Sequence, residues 1–548
     1  MKSTDSGTKL LQGAFILSVA AILSKLIGTL QKIPLQNIAG DSVFGIYNTV
    51  YPFYMMFITL ATAGFPIAVS KLVAEANAKG DREEGERVLR VTSLLLALLG
   101  GLLSIIMYQF APQISTLIDN EEVVLSIRTA SFAFLFVPVM TGLRGYFQGL
   151  QDMVPTAVSQ ITEQTARVTV MLVLLFILIE RGAEAETVAA GAMLGSAAGG
   201  AAGLILMWIF WVRRRKRQPV PPEGPARGGN SSKTERKSTS ALLISVLRYA
   251  IPVALGSIAV PLMNMVDTFT VPRLLKLEGM NDMETMRQFG VYNRGIPLVQ
   301  LVTMLAVSLS VLFIPAIAEA KVRNDQRAIR KQSSLALKWF WLIGLAAAAG
   351  MAVLAQPINR MLYVTPEGTD TMRILALTAA GSAVSVIAAA LLQGLGAVRA
   401  PALIMLAAAA VKTLLNELLV PLLGVSGAAW SSAAAYALAA LLNALLLARL
   451  LQLRVSLSAG LLKPALVIAA MSLAAAGTAW GAETMTGAMG IAVGGRTTAL
   501  VQSLLGIAAG IVIFVLGAVR TKWITAAELA MLPKGAKLVK LLRKLKMM

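Results

Sequence analysis

The sequence predicts an all-α polytopic membrane protein of about 14 transmembrane helices, arranged as two six-helix lobes plus two C-terminal helices. Three observations carry this expectation. Of 548 residues, 57% are hydrophobic and only 14% are charged, against roughly 25% charged in soluble domains. The mean hydropathy is +0.72. Apolar runs of about 20 residues, enough to cross a hydrocarbon core, recur along the whole chain. A soluble chain of this length divides into several domains, and these residues are too apolar to coat them.

In chain order, the expected spans are 11–38, 43–74, 88–111, 123–147, 155–180, 187–212, 241–272, 288–318, 332–356, 371–394, 401–423, 426–449, 462–482 and 497–519. Helices are expected because a lipid-facing segment must satisfy its own backbone hydrogen bonds. The first run continues past Lys25 without a small-x-small cleavage site, so it reads as a retained span rather than a signal peptide. Gly28 and Pro34 predict a bend near its end. The segment 213–240 is rich in Pro, Gly, Ser and charge and reads as a disordered linker. It separates a lobe at 1–212 from a lobe at 241–451; two further spans occupy 452–519, and a basic tail occupies 520–548.

An internal repeat supports this division. Gln148-Gly149-Leu150 precedes Pro155 and a new span, as Gln393-Gly394-Leu395 precedes Pro401. Pro66 and Pro315 each read as closing a span ahead of a charged loop. Both correspondences shift by six spans, an even number, so the two copies share orientation: a parallel repeat.

Charge sets the topology. Net charge is +21, and +14 of it lies in residues 213–237 and 520–548. Basic segments beside spans mark the cytoplasmic side and attract anionic lipid headgroups. Both termini are therefore expected in the cytoplasm of a bacterial cell membrane. Lys79, Arg82 and Arg87 fall in a cytoplasmic loop, whereas Asp119, Glu121 and Glu122 fall outside. Apart from Trp523, no aromatic residues interleave the basic runs, which argues against nucleic acid.

Much chemistry is excluded. Cys and His are absent, which removes disulfides, Cys/His zinc sites and His-based triads. No Walker A loop and no Gly-x-Ser-x-Gly elbow occur. A secondary transporter, not an enzyme, is the expectation, with no cofactor and with membrane potential or an ion gradient as the driving force.

Ionisable residues within spans cost a few kcal/mol each and so mark function. Lys25 lies about 14 residues into the first span, roughly 21 Å at 1.5 Å per residue. Lys32 follows across Gly28, and Arg294 precedes Pro297 in the eighth span. These three cations are the candidate substrate site, suited to an anion. Asp267 is a candidate partner for Lys25 or Arg294, or a ligand for a coupling cation. Glu163 and Arg167, at i and i+4, are expected to pair. Lys412 and Glu417 hold the corresponding span of the second half and read as structural, with Glu163 and Glu417 as possible charge partners. Arg128 and Arg144 read as interfacial. Small residues from Gly191 to Gly203 predict close helix packing.

Several stretches carry a resemblance. They are Leu23-Ser24-Lys25-Leu26-Ile27-Gly28, Gly64-Phe65-Pro66-Ile67-Ala68-Val69-Ser70-Lys71-Leu72, Leu143-Arg144-Gly145-Tyr146-Phe147-Gln148-Gly149 with Pro155 and Glu163-Gln164, and Pro261 through Asp267-Thr268. The chain resembles the MurJ-type lipid II flippases and their sporulation-protein relatives in the multidrug/oligosaccharidyl-lipid/polysaccharide exporter superfamily. The resemblance implies two facing lobes and translocation of a lipid-linked peptidoglycan precursor by alternating access, with cavity cations on its pyrophosphate. Lys25 matches the family's first-helix cation and Arg294 its eighth-helix cation. Gln31 and Met55-Met56 stand where many relatives carry further arginines, and Lys32 compensates. The last two helices, 462–519, correspond to the groove for the polyprenyl tail. Another lipid-linked glycan, a spore-cortex precursor, or a scaffold for cell-wall synthesis proteins are the alternatives.

Overall fold

The computed structural model describes residues 3–217, 238–453, 462–490, 492, 494–521 and 523. Most of the linker (218–237) and of the basic tail (524–548) lies outside the described residues. Every regular element described is helical, and 12 segments are long and apolar enough to cross a membrane. The chain is an all-α, polytopic membrane protein. It divides into two compact units, Met1–Gly290 and Val291–Met548.

The first unit opens with α1 (Ser3–Leu30) and α2 (Lys32–Thr62), followed by α3 (Phe65–Ala78). A continuous apolar stretch, Phe15–Ala78, runs through all three. It is nevertheless two spans, because α2 reverses at Gly40, whose φ of 80° and ψ of 178° are open essentially to glycine alone. The reversal falls between the expected spans 11–38 and 43–74. The first span is α1 plus residues 32–39; the second is residues 41–62 plus α3. Pro66 sits in the first turn of α3, where a missing N–H is harmless.

Next come α4 (Arg82–Gln109), α5 (Ala111–Ile118), α6 (Val124–Ser131), α7 (Val137–Gly149), α8 (Val154–Glu180) and α9 (Ala185–Arg217). The α8–α9 pair is packed very closely. A Cβ added at Gly199 would lie 2.6 Å from the carbonyl oxygen of Glu163, and one at Gly195 would lie 2.7 Å from that of Arg167. In lipid, where apolar burial between helices adds little, such close approach supplies the van der Waals contact that holds a bundle together. The expected seventh span divides into α10 (Thr239–Ser257) and α11 (Ala259–Leu277), which pack on α3 and α2 within this unit. Helix α12 (Asp282–Asn293) crosses the boundary between the units.

The second unit contains α13 (Ile296–Val322), α14 (Gln326–Val353), α15 (Ala355–Tyr363), α16 (Thr369–Gly394), α17 (Arg399–Leu423), α18 (Val425–Leu451), α19 (Lys463–Ala488) and α20 (Arg496–Arg520). Helix α16 is its hub, touching α13, α14 and α18; α19 and α20 pair with each other and lean on α14 and α15.

Local geometry repeats between the units. Asp81 caps α4 at φ −87°, ψ 83°, accepting from the Glu84 amide; Asp325 caps α14 at φ −83°, ψ 83°, accepting from the Ala328 amide. Each follows a left-handed residue, Gly80 or Asn324. A short helix follows each long one, α5 after α4 and α15 after α14. Both Gln-Gly-Leu stretches end a helix, α7 or α16, and Pro155 and Pro401 each lie in the first turn of the next. The proline pair proves a poor landmark: Pro66 opens a helix, whereas Pro315 lies within α13. A proline is accommodated at either place, so it marks register weakly.

Candidate functional site

The polar interior of the first unit is built around Lys32, which is 4% exposed. Its Nζ donates to Asn48 Oδ1 at 2.9 Å and lies 5.4 Å from the ring centroid of Tyr51. No carboxylate among the described residues pairs with it. Asn48 is aimed by its own amide, which donates to the Phe44 carbonyl at 2.8 Å and leaves Oδ1 for the lysine. In one continuous helix, residues 16 apart would stand roughly 24 Å from each other. The Gly40 reversal brings them together, and it sets the neighbouring Gln31 Nε2 3.4 Å from the Tyr47 hydroxyl. Gln31 Oε1 remains buried without a partner.

Tyr47, Tyr51 and Tyr54 form one stripe of α2, with the Tyr47 and Tyr51 rings stacked at 5.5 Å and the Tyr51 and Tyr54 rings tilted at 6.0 Å. Their hydroxyls lie within electrostatic reach of Arg167 on α8. Arg167 is 5% exposed; its Nη2 donates to Glu163 Oε1 at 3.3 Å, and its Nε has no partner. The other Glu163 oxygen accepts from Arg144 Nη2 at 3.0 Å, and Arg144 Nε donates to Ser159 Oγ at 2.8 Å. The pairing of Glu163 with Arg167 agrees with the i,i+4 expectation. Arg144, expected near the end of its span, lies close to the C-terminal end of α7 and is buried against α8. Two arginines share one carboxylate, so the group keeps a surplus positive charge and Lys32 adds another.

The other predicted residues divide by place. Lys25 is exposed on α1 and has no side-chain partner among the described residues. One turn later, Gly28 lies against the Gln164 amide of α8, so this face of α1 borders the same polar stripe. Asp267 is buried on α11, next to Thr268, whose hydroxyl donates to the Thr49 carbonyl at 3.2 Å; it does not pair with Lys25. In the second unit Arg294 is 1% exposed. Its Nη1 donates to Thr365 Oγ1 at 2.9 Å and to the Glu367 carbonyl at 3.0 Å, while its own carbonyl accepts from the Tyr363 hydroxyl at 2.9 Å. Lys412 is buried, whereas Glu417, five residues on, is exposed and forms no ion pair among the described residues. That separation follows from about 100° per residue, which puts i and i+5 on different faces.

Sequence reasoning missed Asn48, Arg144 and the tyrosine stripe. The i, i+4, i+7 spacing of Tyr47, Tyr51 and Tyr54 was the available signal, and it equally fits an apolar core face.

The profile of the family described as "Polysaccharide biosynthesis protein" matches residues 10–321. The chain belongs to this polysaccharide biosynthesis protein family. Family resemblance extends well beyond the matched segment. The chain is 33% identical to the uncharacterized membrane protein YabM of Bacillus subtilis (strain 168) over 97% of its length and 96% of that protein. It is 27% identical to the lipid II flippase MurJ of the same organism, over 78% of its length and 80% of that protein. A solved structure of lipid II flippase MurJ in an inward closed conformation matches with a TM-score of 0.62 at 14% identity, covering 92% of this chain and 99% of the other. At that identity the match shows the fold that this family member shares.

Proposed function

We propose that the protein is a flippase carrying an undecaprenyl-pyrophosphate-linked peptidoglycan precursor, lipid II, from the inner to the outer leaflet by alternating access. One observation carries the reading: the Lys32 ammonium is buried with only an amide oxygen and an aromatic ring for company. An intramembrane cation costs about 3 kcal/mol even on insertion scales. Such a charge is kept where an anion arrives to meet it. The surplus charge at Arg144 and Arg167 has the same sign and favours a diphosphate over a cationic drug. The exposed Lys25 serves as the mobile contact and Arg294 as a second cation beyond the first unit. The six-helix lobes at 1–212 and 241–451 act as the moving halves, and the helices at 462–519 receive the polyprenyl tail. No covalent bond changes. Movement of one charge through 100 mV supplies about 2.3 kcal/mol, enough to bias transport. Both termini lie in the cytoplasm in this scheme.

A second reading draws on the comparison itself, since identity to the uncharacterized relative exceeds that to the lipid II flippase. The same diphosphate chemistry fits another lipid-linked glycan, including a spore-cortex precursor. The test is leaflet-resolved accessibility of lipid II after acute depletion of this protein. Retention of lipid II in the inner leaflet supports the first reading. Unchanged accessibility, with a different lipid-linked glycan retained, supports the second; no retained lipid at all rejects both and leaves a scaffold.

A further inference from the structure

One end of the first unit holds a cavity of about 60 Å³ between the end of α3, the start of α4 and the ends of α7 and α9. At 10–15 Å³ per water this is room for roughly four waters, the scale of one phosphate group. Arg82, Arg214 and Arg215 line it, and none of the three forms an ion pair with a described residue. The carboxylate beside them, Glu86, is occupied by neutral donors: Oε1 accepts from the Tyr146 hydroxyl at 2.8 Å and Oε2 from Trp211 Nε1 at 3.1 Å. Asp81, the other acidic residue of the lining, caps α4. The Arg215 guanidinium lies 5.5 Å from the Trp211 ring centroid, which fixes its direction.

We infer that this cavity binds the phosphodiester of an anionic phospholipid of the cytoplasmic leaflet. Guanidinium forks match phosphate oxygens bidentately, and three of them leave the lining with a net positive charge. The neighbouring side chains fit a lipid rather than a soluble anion. Trp208, 57% exposed and 5.3 Å from Trp211, stands just before the Arg213–Arg217 run that ends α9. Tryptophan beside arginine is the composition of the headgroup layer. The site is independent of the translocation reading, because it requires only that this end of α9 meet the bilayer surface.

Native mass spectrometry of the full-length protein in detergent tests it, with phosphatidylglycerol, phosphatidylcholine or inorganic phosphate added. Phosphatidylglycerol adducts should dominate and should fall about tenfold, or 1.4 kcal/mol, in Arg82→Gln/Arg214→Gln/Arg215→Gln. Arg213→Gln/Lys216→Gln/Arg217→Gln removes the same charge outside the lining and should stay within about twofold. Glu86→Gln removes the competing negative charge and should raise retention about threefold, a gain that misfolding cannot imitate. Equal losses in the two triple variants, no preference for phosphatidylglycerol over phosphatidylcholine, or displacement by millimolar inorganic phosphate would each overturn the assignment.

Discussion

Lys32 and Asn48 face each other across a helix reversal, each eight residues from Gly40, with the ammonium 2.9 Å from the amide oxygen. The lysine thereby has a dipole for a partner and no counter-charge. That is a poor arrangement for stability and a good one for receiving an anion. Removing an isolated buried charge is often neutral or stabilising. Lys32→Met should therefore leave the melting temperature in detergent unchanged or raised, while abolishing complementation of a flippase-depleted strain. Normal growth on Lys32→Met would remove Lys32 from the mechanism.

The reversal itself is open to test. Nothing stands within 4 Å of a Cβ placed at Gly40, so the cost of a side chain there is backbone strain alone. Gly40→Ala should destabilise by about 1–3 kcal/mol, as expected for a residue held in a glycine-only region. Thermal unfolding measures this, and an unchanged melting temperature would mean that residue 40 is free to adopt another conformation.

Glu163 neutralises part of two buried arginines. Breaking one side of a buried ion pair typically costs 3–5 kcal/mol, because the opposite charge is left uncompensated. Glu163→Gln should accordingly cost about 3 kcal/mol or more. Adding Arg167→Met should recover part of the loss, whereas additive losses in the double variant would show that the two side chains are not coupled.

Lys25 and Arg294 should separate function from folding. Lys25 has no side-chain partner among the described residues, so Lys25→Ala should leave expression and melting unaffected while transport falls. Arg294 holds the segment between α15 and α16 through Thr365 and the Glu367 carbonyl. Arg294→Ala removes both hydrogen bonds and empties a buried site, and with acceptors that are themselves exposed each bond is worth about 1 kcal/mol, so the melting temperature should fall. Equal melting temperatures for the two variants would contradict this division.

On the loop side of the first unit, pH should act through Glu284. Hydrogen bonds from Arg287 first, and then from Gln288, hold its carboxyl down to about 2, below the ordinary 4.5. A depressed carboxyl contributes stability above its unfolded value, and the contribution fades as pH falls from about 4.5 towards 2. Lys276 has the opposite sign. Its hydrogen bond to Asp282 raises it above 10.5, so its contribution is present below 10.5 and is lost only as pH rises past the raised value. Amide-exchange protection factors of residues 278–290, which are corrected for the intrinsic pH dependence of exchange, should fall between pH 4.5 and 2 in the native chain, and much less in Glu284→Gln. Equal acid sensitivity of the two proteins would exclude Glu284 as the cause.

Helical class, the spans, the break between 38 and 43 and the Glu163–Arg167 pair were all legible in the amino-acid order. Each depends on composition or on contacts within one turn of helix, and those are local. The glycine run of α9 likewise announced close packing, although its partner surface at Glu163 and Arg167 did not follow from it. That Arg144 turns inward to Ser159 and Glu163 did not follow from its place near a span end, because the surrounding bundle decides which face of α7 is covered. The five-residue spacing of Lys412 and Glu417 already put them on different faces, but which of the two would be buried only packing decided. Above all, Asn48 as the partner of Lys32 was invisible to the linear pattern. A hydrogen bond between side chains on opposite arms of a hairpin depends on the register in which the arms dock, and that register is set by contacts from many helices at once.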